Sequence, residues 1–193
     1  MSKLAITGGP PAIPQGKRLA PYPEIGAAER QRIDRVLASG KLWAPWAPMT
    51  RELEETWAAY VGTVHCRAVS SGTAALHCAL VGCGVGPGDE VLVPAYSYLA
   101  SAATVFLTGA CPVFVDVRAD GNLDPEKASL AITGRTKAII AVHLHGAVAD
   151  MSAIMELAKK YSILVIEDCA QAHGAVIDGR RVGNASKIRN GSK

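Results

Sequence analysis

The chain has 193 residues, 49% of them hydrophobic, with 19 glycines, 11 prolines and 20 basic against 17 acidic residues for a formal charge of +3. Such a composition belongs to a globular protein long enough to bury about 70% of the surface its unfolded form exposes, and the basic residues form no run, which excludes an electrostatic footprint for nucleic acid. No apolar run reaches the ~18 residues of a membrane span and the opening MSKLAITGGPPAIPQGK has no apolar core of signal-peptide length, so the expected location is the cytoplasm.

Residues 1–20 are rich in Pro and Gly and read as an extended arm that needs another surface to lie on. AAERQRIDRVLASG predicts a helix with Ile33, Val36 and Leu37 on one face and Gly40 as its stop. KLWAPWAPMT follows, and Thr50 is placed as the cap of the helix RELEETWAAYVG. From Cys66 an alternation sets in. It runs through the strand CRAVS, a helix from Gly72 to about Cys83, the strand EVLVP, a helical stretch from near Tyr98, and the strand PVFVDV. It continues with a helix capped by Asp124 with Pro125 in its first turn, the strand KAIIAVHL, the helix DMSAIMELAKKY and the strand SILVIED. Strands alternating with helices predict parallel pairing and an α/β sheet covered on its faces.

In open α/β sheets ligands bind beyond the carboxyl ends of the strands. Those ends carry Ser70 to Thr73, Pro94 to Tyr98, His143 with His145, and Glu167 with Asp168. SSGTAAL at a strand-to-helix turn offers free backbone N–H groups and a helix dipole suited to a phosphate, or an ordinary N-cap. Two tyrosines in VPAYSYLAS offer a ring to lie against a planar group, or simple core packing. Asp168 is the sharper signal, because a carboxylate at the end of an apolar strand costs several kcal/mol to bury without a partner. A protonated heteroaromatic nitrogen is one such partner, and a Lys or Arg is the other; the latter suits Glu167. GCGVGPG is no dinucleotide fingerprint, since it follows a helix and precedes a strand. Phosphate cradle, aromatic ring and buried acid together describe a site for pyridoxal 5′-phosphate.

SSGTAALHCAL, GPGDEVLVPAYSY, PVFVDV, VHLHG and IEDCAQAHGA resemble, in order and spacing, the amino-terminal half of the DegT/StrS-type sugar aminotransferases, fold type I pyridoxal-phosphate enzymes. The resemblance implies a three-layer αβα sandwich with a mostly parallel sheet over residues 21–183, a truncated large domain, after the arm 1–20 and before an unmatched polar tail 184–193. It implies that Gly72 and Thr73 hold the cofactor phosphate, that Tyr98 stacks on the ring, that Asp168 pairs with the pyridine nitrogen and that Gln171 contacts the phenolic oxygen. His173 lies in the same motif and is assigned to structure. His143 and His145 lack a third ligand at usable spacing, so no metal site is expected. The five cysteines form no Cys-x-x-Cys pair and read as reduced thiols in a core.

The family's Schiff-base lysine lies downstream of the AHGA element, where this sequence runs NASKIRNGSK. Lys187 and Lys193 stand there without the family context, so no catalytic lysine is assigned. The implied reaction of an intact relative moves an amino group from glutamate or glutamine to a keto-sugar or keto-cyclitol, in a dimer toward whose second subunit the arm reaches. The alternative expectation is a non-catalytic remnant that pairs with a full-length paralogue through the family dimer surface. A nicotinamide-dependent Rossmann enzyme shares the α/β rhythm but needs a glycine fingerprint after its first strand, which is missing.

Overall fold

Four apolar runs become one parallel sheet in the computed structural model, which describes residues 3–14, 16–17 and 23–184. The strands are β1 (Glu90–Pro94), β2 (Cys111–Val115), β3 (Thr136–Val142) and β4 (Leu164–Asp168), in the order β2-β1-β3-β4. The expected domain boundary at Pro21 and the tail lysines Lys187 and Lys193 lie outside the described residues. The two inner strands β1 and β3 are apolar and almost entirely buried, as a parallel sheet covered on both faces requires.

Alternation along each strand sends neighbours to opposite layers. Val91 and Val93 of β1, Ala138, Ile140 and Val142 of β3, and Ile166 of β4 pack with α3 (Gly72–Gly82) and α4 (Ala100–Leu107). Leu92, Ile139 and Ala141 face the other way, toward Ala128 of α5 (Pro125–Ala131) and Met151 and Ile154 of α6 (Met151–Tyr161). The result is the three-layer α/β arrangement that the alternation predicts.

Local chemistry starts the helices where it should. Ser71, Asp124 and Asp150 accept hydrogen bonds from Ala74, Glu126 and Ala153 N–H, capping α3, α5 and α6 in turn. Two expectations need correction. Helix α2 (Pro48–Val61) begins two residues before Thr50, with Pro48 at a first-turn position where its missing N–H costs nothing, so Thr50 lies inside the helix and does not cap it. Cys66–Ser70 forms no strand, because the Ala68 N–H donates to the Glu54 carboxylate at 3.0 Å instead of to a ladder, and Arg67 reaches the same side chain at 3.0 Å.

The chain divides into two compact units between Arg51 and Glu52. The first holds α1 (Ala27–Ser39), which starts where the Glu29 carboxylate takes the Gly26 N–H at 2.7 Å and stops at Gly40. Its apolar face forms as predicted but stays exposed at Ile33 and Leu37. The second holds the sheet, α3 to α6, and a two-stranded antiparallel hairpin, β5 (Val176–Ile177) and β6 (Arg180–Arg181). Asp178 and Gly179 close that hairpin with φ of 50° and 74°, the left-handed pair that a two-residue hairpin turn needs. No helix among the described residues is long and apolar enough to cross a membrane.

Candidate active site

The carboxyl end of β4 opens onto a cavity of about 430 Å³, a size suited to a small organic cofactor. Gly72 at the start of α3 and Asp168 at the end of β4 both line it. At Gly72 an added Cβ would meet nothing within 4 Å, so the helix terminus is approachable. Ser71 Oγ occupies the Ala74 N–H and the Ser71 carbonyl the Ala75 N–H. Among the described residues the N–H groups of Gly72 and Thr73 make no hydrogen bond, and two donors at a helix amino end are what an anion seeks.

Asp168 is half-buried, and one of its oxygens, Oδ1, accepts from the Ala170 N–H at 3.0 Å. Among the described residues it has no ion pair with Lys, Arg or His. Its neighbour Glu167 is committed elsewhere. Glu167 Oε2 accepts from His143 Nε2 at 3.3 Å and from the Gly183 N–H at 2.9 Å. His143 is fully buried, and its Nδ1 accepts from the Ala149 N–H at 3.1 Å, so its ring proton belongs on Nε2, facing the carboxylate. Two adjacent acids on one strand thus have different occupations, as opposite projection from a strand allows.

Cys169 completes a group with His143 and Glu167 whose ligand atoms lie within 4.8 Å of one another. The hydrogen bonds oppose a metal there. A ligating imidazole donates its other N–H outward, whereas His143 Nδ1 faces a donor, and a metal on Nε2 would require the proton held there to leave. Burial, and after it the Glu167 and Asp168 carboxylates, push the Cys169 thiol up to about 12, so it stays protonated. The expectation of core thiols holds for Cys66, Cys83 and Cys169, which are half-buried, and fails at Cys78 and Cys111, whose side chains are exposed.

Tyr98, Thr73, Gln171 and His145 lie outside the cavity lining. Tyr98 is 71% exposed, just before α4, and Thr73 is exposed on the first turn of α3. Gln171 is exposed and gives its Oε1 to the His145 N–H at 2.9 Å, which leaves its amide NH₂ as a donor. His145 sits in the left-handed region with φ 51° and meets the Tyr96 ring edge-on, away from His143's buried pairing. His173 lines the cavity and packs at 88° against Trp57.

The cavity also has walls that the sequence reading passes over. Trp57 and Tyr60 of α2 line it as an i, i+3 aromatic pair, and the Arg181 guanidinium stands 4.1 Å over the Tyr60 ring while donating to the Tyr60 carbonyl at 2.8 Å. Their spacing on one helix face is a visible signal, but nothing local says which strand end they meet. The hairpin that brings Arg181 there is announced by Ile-Asp-Gly-Arg, a two-residue turn signature.

Residues 23–192 match the model of the DegT/DnrJ/EryC1/StrS aminotransferase family. The chain is 46% identical over 187 residues to the L-glutamine:2-deoxy-scyllo-inosose aminotransferase of Streptomyces lividus, a match that takes in 93% of this chain and 43% of that protein. Its fold is similar to an aminotransferase from Psychrobacter cryohalolentis, with a TM-score of 0.83 and 41% identity over 86% of this chain and 42% of the other. It is also similar to a sugar aminotransferase, Spr1654, from Streptococcus pneumoniae in its PLP-form, with a TM-score of 0.78 and 35% identity over 84% of this chain and 45% of that one. The chain therefore spans less than half the length of these relatives.

Proposed function

The chain belongs to the DegT/DnrJ/EryC1/StrS aminotransferase family, and from that premise we propose that it is the cofactor-holding part of a cytoplasmic, pyridoxal-phosphate-dependent aminotransferase. The enzyme moves an amino group from glutamine or glutamate to a keto-sugar or keto-cyclitol. One observation carries the reading: the open amino end of α3 and a half-buried Asp168 without an ion pair among the described residues line the same cavity.

The residues present fit the cofactor by their donor set. The two free N–H groups at Gly72 and Thr73, at the positive end of the α3 dipole, hold a phosphate. Asp168 has one oxygen tied by Ala170 and a second left to hold a proton on a ring nitrogen. The Gln171 amide NH₂, free once its carbonyl oxygen serves His145, donates to a phenolic oxygen. Tyr98 supplies an exposed ring to lie over the pyridine. Pyridoxal phosphate, when bound, supplies an electron sink for the charge that develops at the carbon losing or gaining the amino group. The protein's share is to orient that group, keep its nitrogen protonated through Asp168, and screen it from water behind Trp57 and Tyr60.

Pyridoxal 5′-phosphate titrated into the chain, followed by quenching of tryptophan fluorescence, tests this. A charge-assisted hydrogen bond of about 1.5–3 kcal/mol predicts that Asp168→Asn weakens binding roughly 10- to 150-fold, while Asp178→Asn at the hairpin tip leaves it unchanged. Equal affinity for Asp168→Asn and wild type, or no saturable binding by wild type, overturns the reading.

A further inference from the structure

We propose that Glu167 is a positioning residue: its carboxylate clamps the chain leaving the β5–β6 hairpin onto the carboxyl end of β4 and so sets the wall of the cavity that Asp168 lines. The link from this clamp to cofactor binding rests on the function proposed above; the clamp itself does not.

The geometry gives Glu167 two donors on one oxygen. The Glu167 side chain is 4% exposed and His143 is 0% exposed, so neither end of their contact is shared with bulk water. His143 cannot turn away, because the Ala149 N–H holds its Nδ1 at 3.1 Å. Its own main-chain N–H donates to the Asp168 carbonyl at 3.0 Å, which carries the β3–β4 pairing past the end of the ladder. The second donor, Gly183 N–H at 2.9 Å, lies 16 residues further along the chain, beyond the whole hairpin.

Gly183 suits that position for reasons of space as well as of hydrogen bonding. Its φ is 85°, where an L side chain is strained, and an added Cβ would meet Val61 Cγ1 at 3.4 Å and Cys169 Sγ at 3.5 Å. Val182 beside it is 3% exposed and donates its N–H to the Ala175 carbonyl at 3.0 Å. Val182 and Gly183 are both wall residues of the cavity. A buried carboxylate costs several kcal/mol of desolvation unless its lone pairs are used, and here they are spent on a long-range main-chain contact next to the proposed cofactor acid. The adjacent acids divide the work: Asp168 faces a ligand, and Glu167 holds the frame around it.

The test compares Glu167→Asp with Glu167→Gln. Aspartate keeps the charge but is one methylene too short to serve both donors, whereas glutamine keeps the reach and an acceptor oxygen but loses the charge. Amide hydrogen exchange should show Gly183 exchanging at least tenfold faster in Glu167→Asp, with Ile139 and Ile140 in β3 unchanged, and Glu167→Gln within about twofold of wild type. Pyridoxal 5′-phosphate affinity should fall severalfold in the aspartate variant and be retained in the glutamine variant. Unchanged Gly183 exchange in Glu167→Asp, an equal loss in both variants, or a loss that spreads to Ile139 and Ile140 overturns the clamp. Failure of wild type to bind the cofactor, with the exchange pattern as stated, overturns the proposed function and leaves the clamp standing.

Discussion

Replacing Asn122 by alanine should destabilise the sheet unit by about 1.5–4 kcal/mol, although the residue contacts no proposed ligand. Asn122 is 1% exposed. Its Oδ1 accepts the buried Leu144 N–H at 2.9 Å, and its Nδ2 donates to the Ala147 carbonyl and to Asp120 Oδ2, each at 3.3 Å. It therefore ties the turn after β2 to the loop that carries His143. Alanine orphans a buried N–H, at about 1–3 kcal/mol, and removes a longer, weaker bond to Ala147 worth about 0.5–1 kcal/mol, which gives the stated sum. For a chain of this size, about 3 kcal/mol lowers Tm by roughly 6–12 °C. Asparagine to aspartate is the informative companion: it keeps the acceptor for Leu144 but turns a carboxylate oxygen toward the Ala147 carbonyl and Asp120, so at pH 7 it should cost at least as much. Urea denaturation followed by circular dichroism measures both. A shift under about 0.5 kcal/mol for Asn122→Ala would refute the claim that this side chain holds the loop.

Cys169 should resist alkylation that Cys78 and Cys111 undergo readily. At pH 8 Cys169, pushed up to about 12, holds on the order of a thousandfold less thiolate than it would at its ordinary 9.0, while Cys78 and Cys111 are exposed to the reagent, and peptide mapping after iodoacetamide reads the difference. The same displacement has a stability consequence: the unfolded chain releases this proton first, so native stability falls as pH rises from about 9 through about 12, and Cys169→Ser should flatten that fall. Glu90, at the amino end of β1, behaves in the opposite sense. The Thr133 hydroxyl and then Arg135 hold its carboxyl below the ordinary 4.5, so it stabilises the fold above that pH and loses the contribution as pH falls through the lowered value. Glu90→Gln should therefore differ from wild type at pH 7 and converge with it in strong acid; a constant gap across the acid range would contradict the pairing.

The layers of the sheet were legible because each strand alternates between two apolar faces, and the helix starts because Asp124, Asp150 and Ser71 stand where caps are needed. The errors share a cause. Cys66–Ser70 has strand composition, but Glu54, a dozen residues upstream, intercepts Ala68, and no local rule anticipates that capture. Thr50 is a good cap by type, and Pro48 outcompetes it by being a better first-turn residue. At the site, Gly72 and Asp168 were readable because a helix amino end and a strand carboxyl end must meet at one rim of an α/β sheet. Trp57, Tyr60 and Arg181 were not, since their arrival depends on packing between distant segments. The sequence separates Asp168 from Glu167 but suggests a Lys or Arg for Glu167; that its carboxylate takes His143 and the Gly183 N–H depends on distant packing and was beyond reading.

Because β4 presents its two acids by parity alone, its length is under a constraint that its composition does not reveal. Deleting or inserting a single residue between Leu164 and Ile166 would interchange the two acids, taking the longer one off His143 and Gly183 and turning the shorter toward a histidine it cannot reach. Lineages that diverge at this protein should accordingly tolerate gain or loss of residues at the Ser162 bend, before the strand begins, and purge them within the five positions that follow it from Leu164 to Asp168.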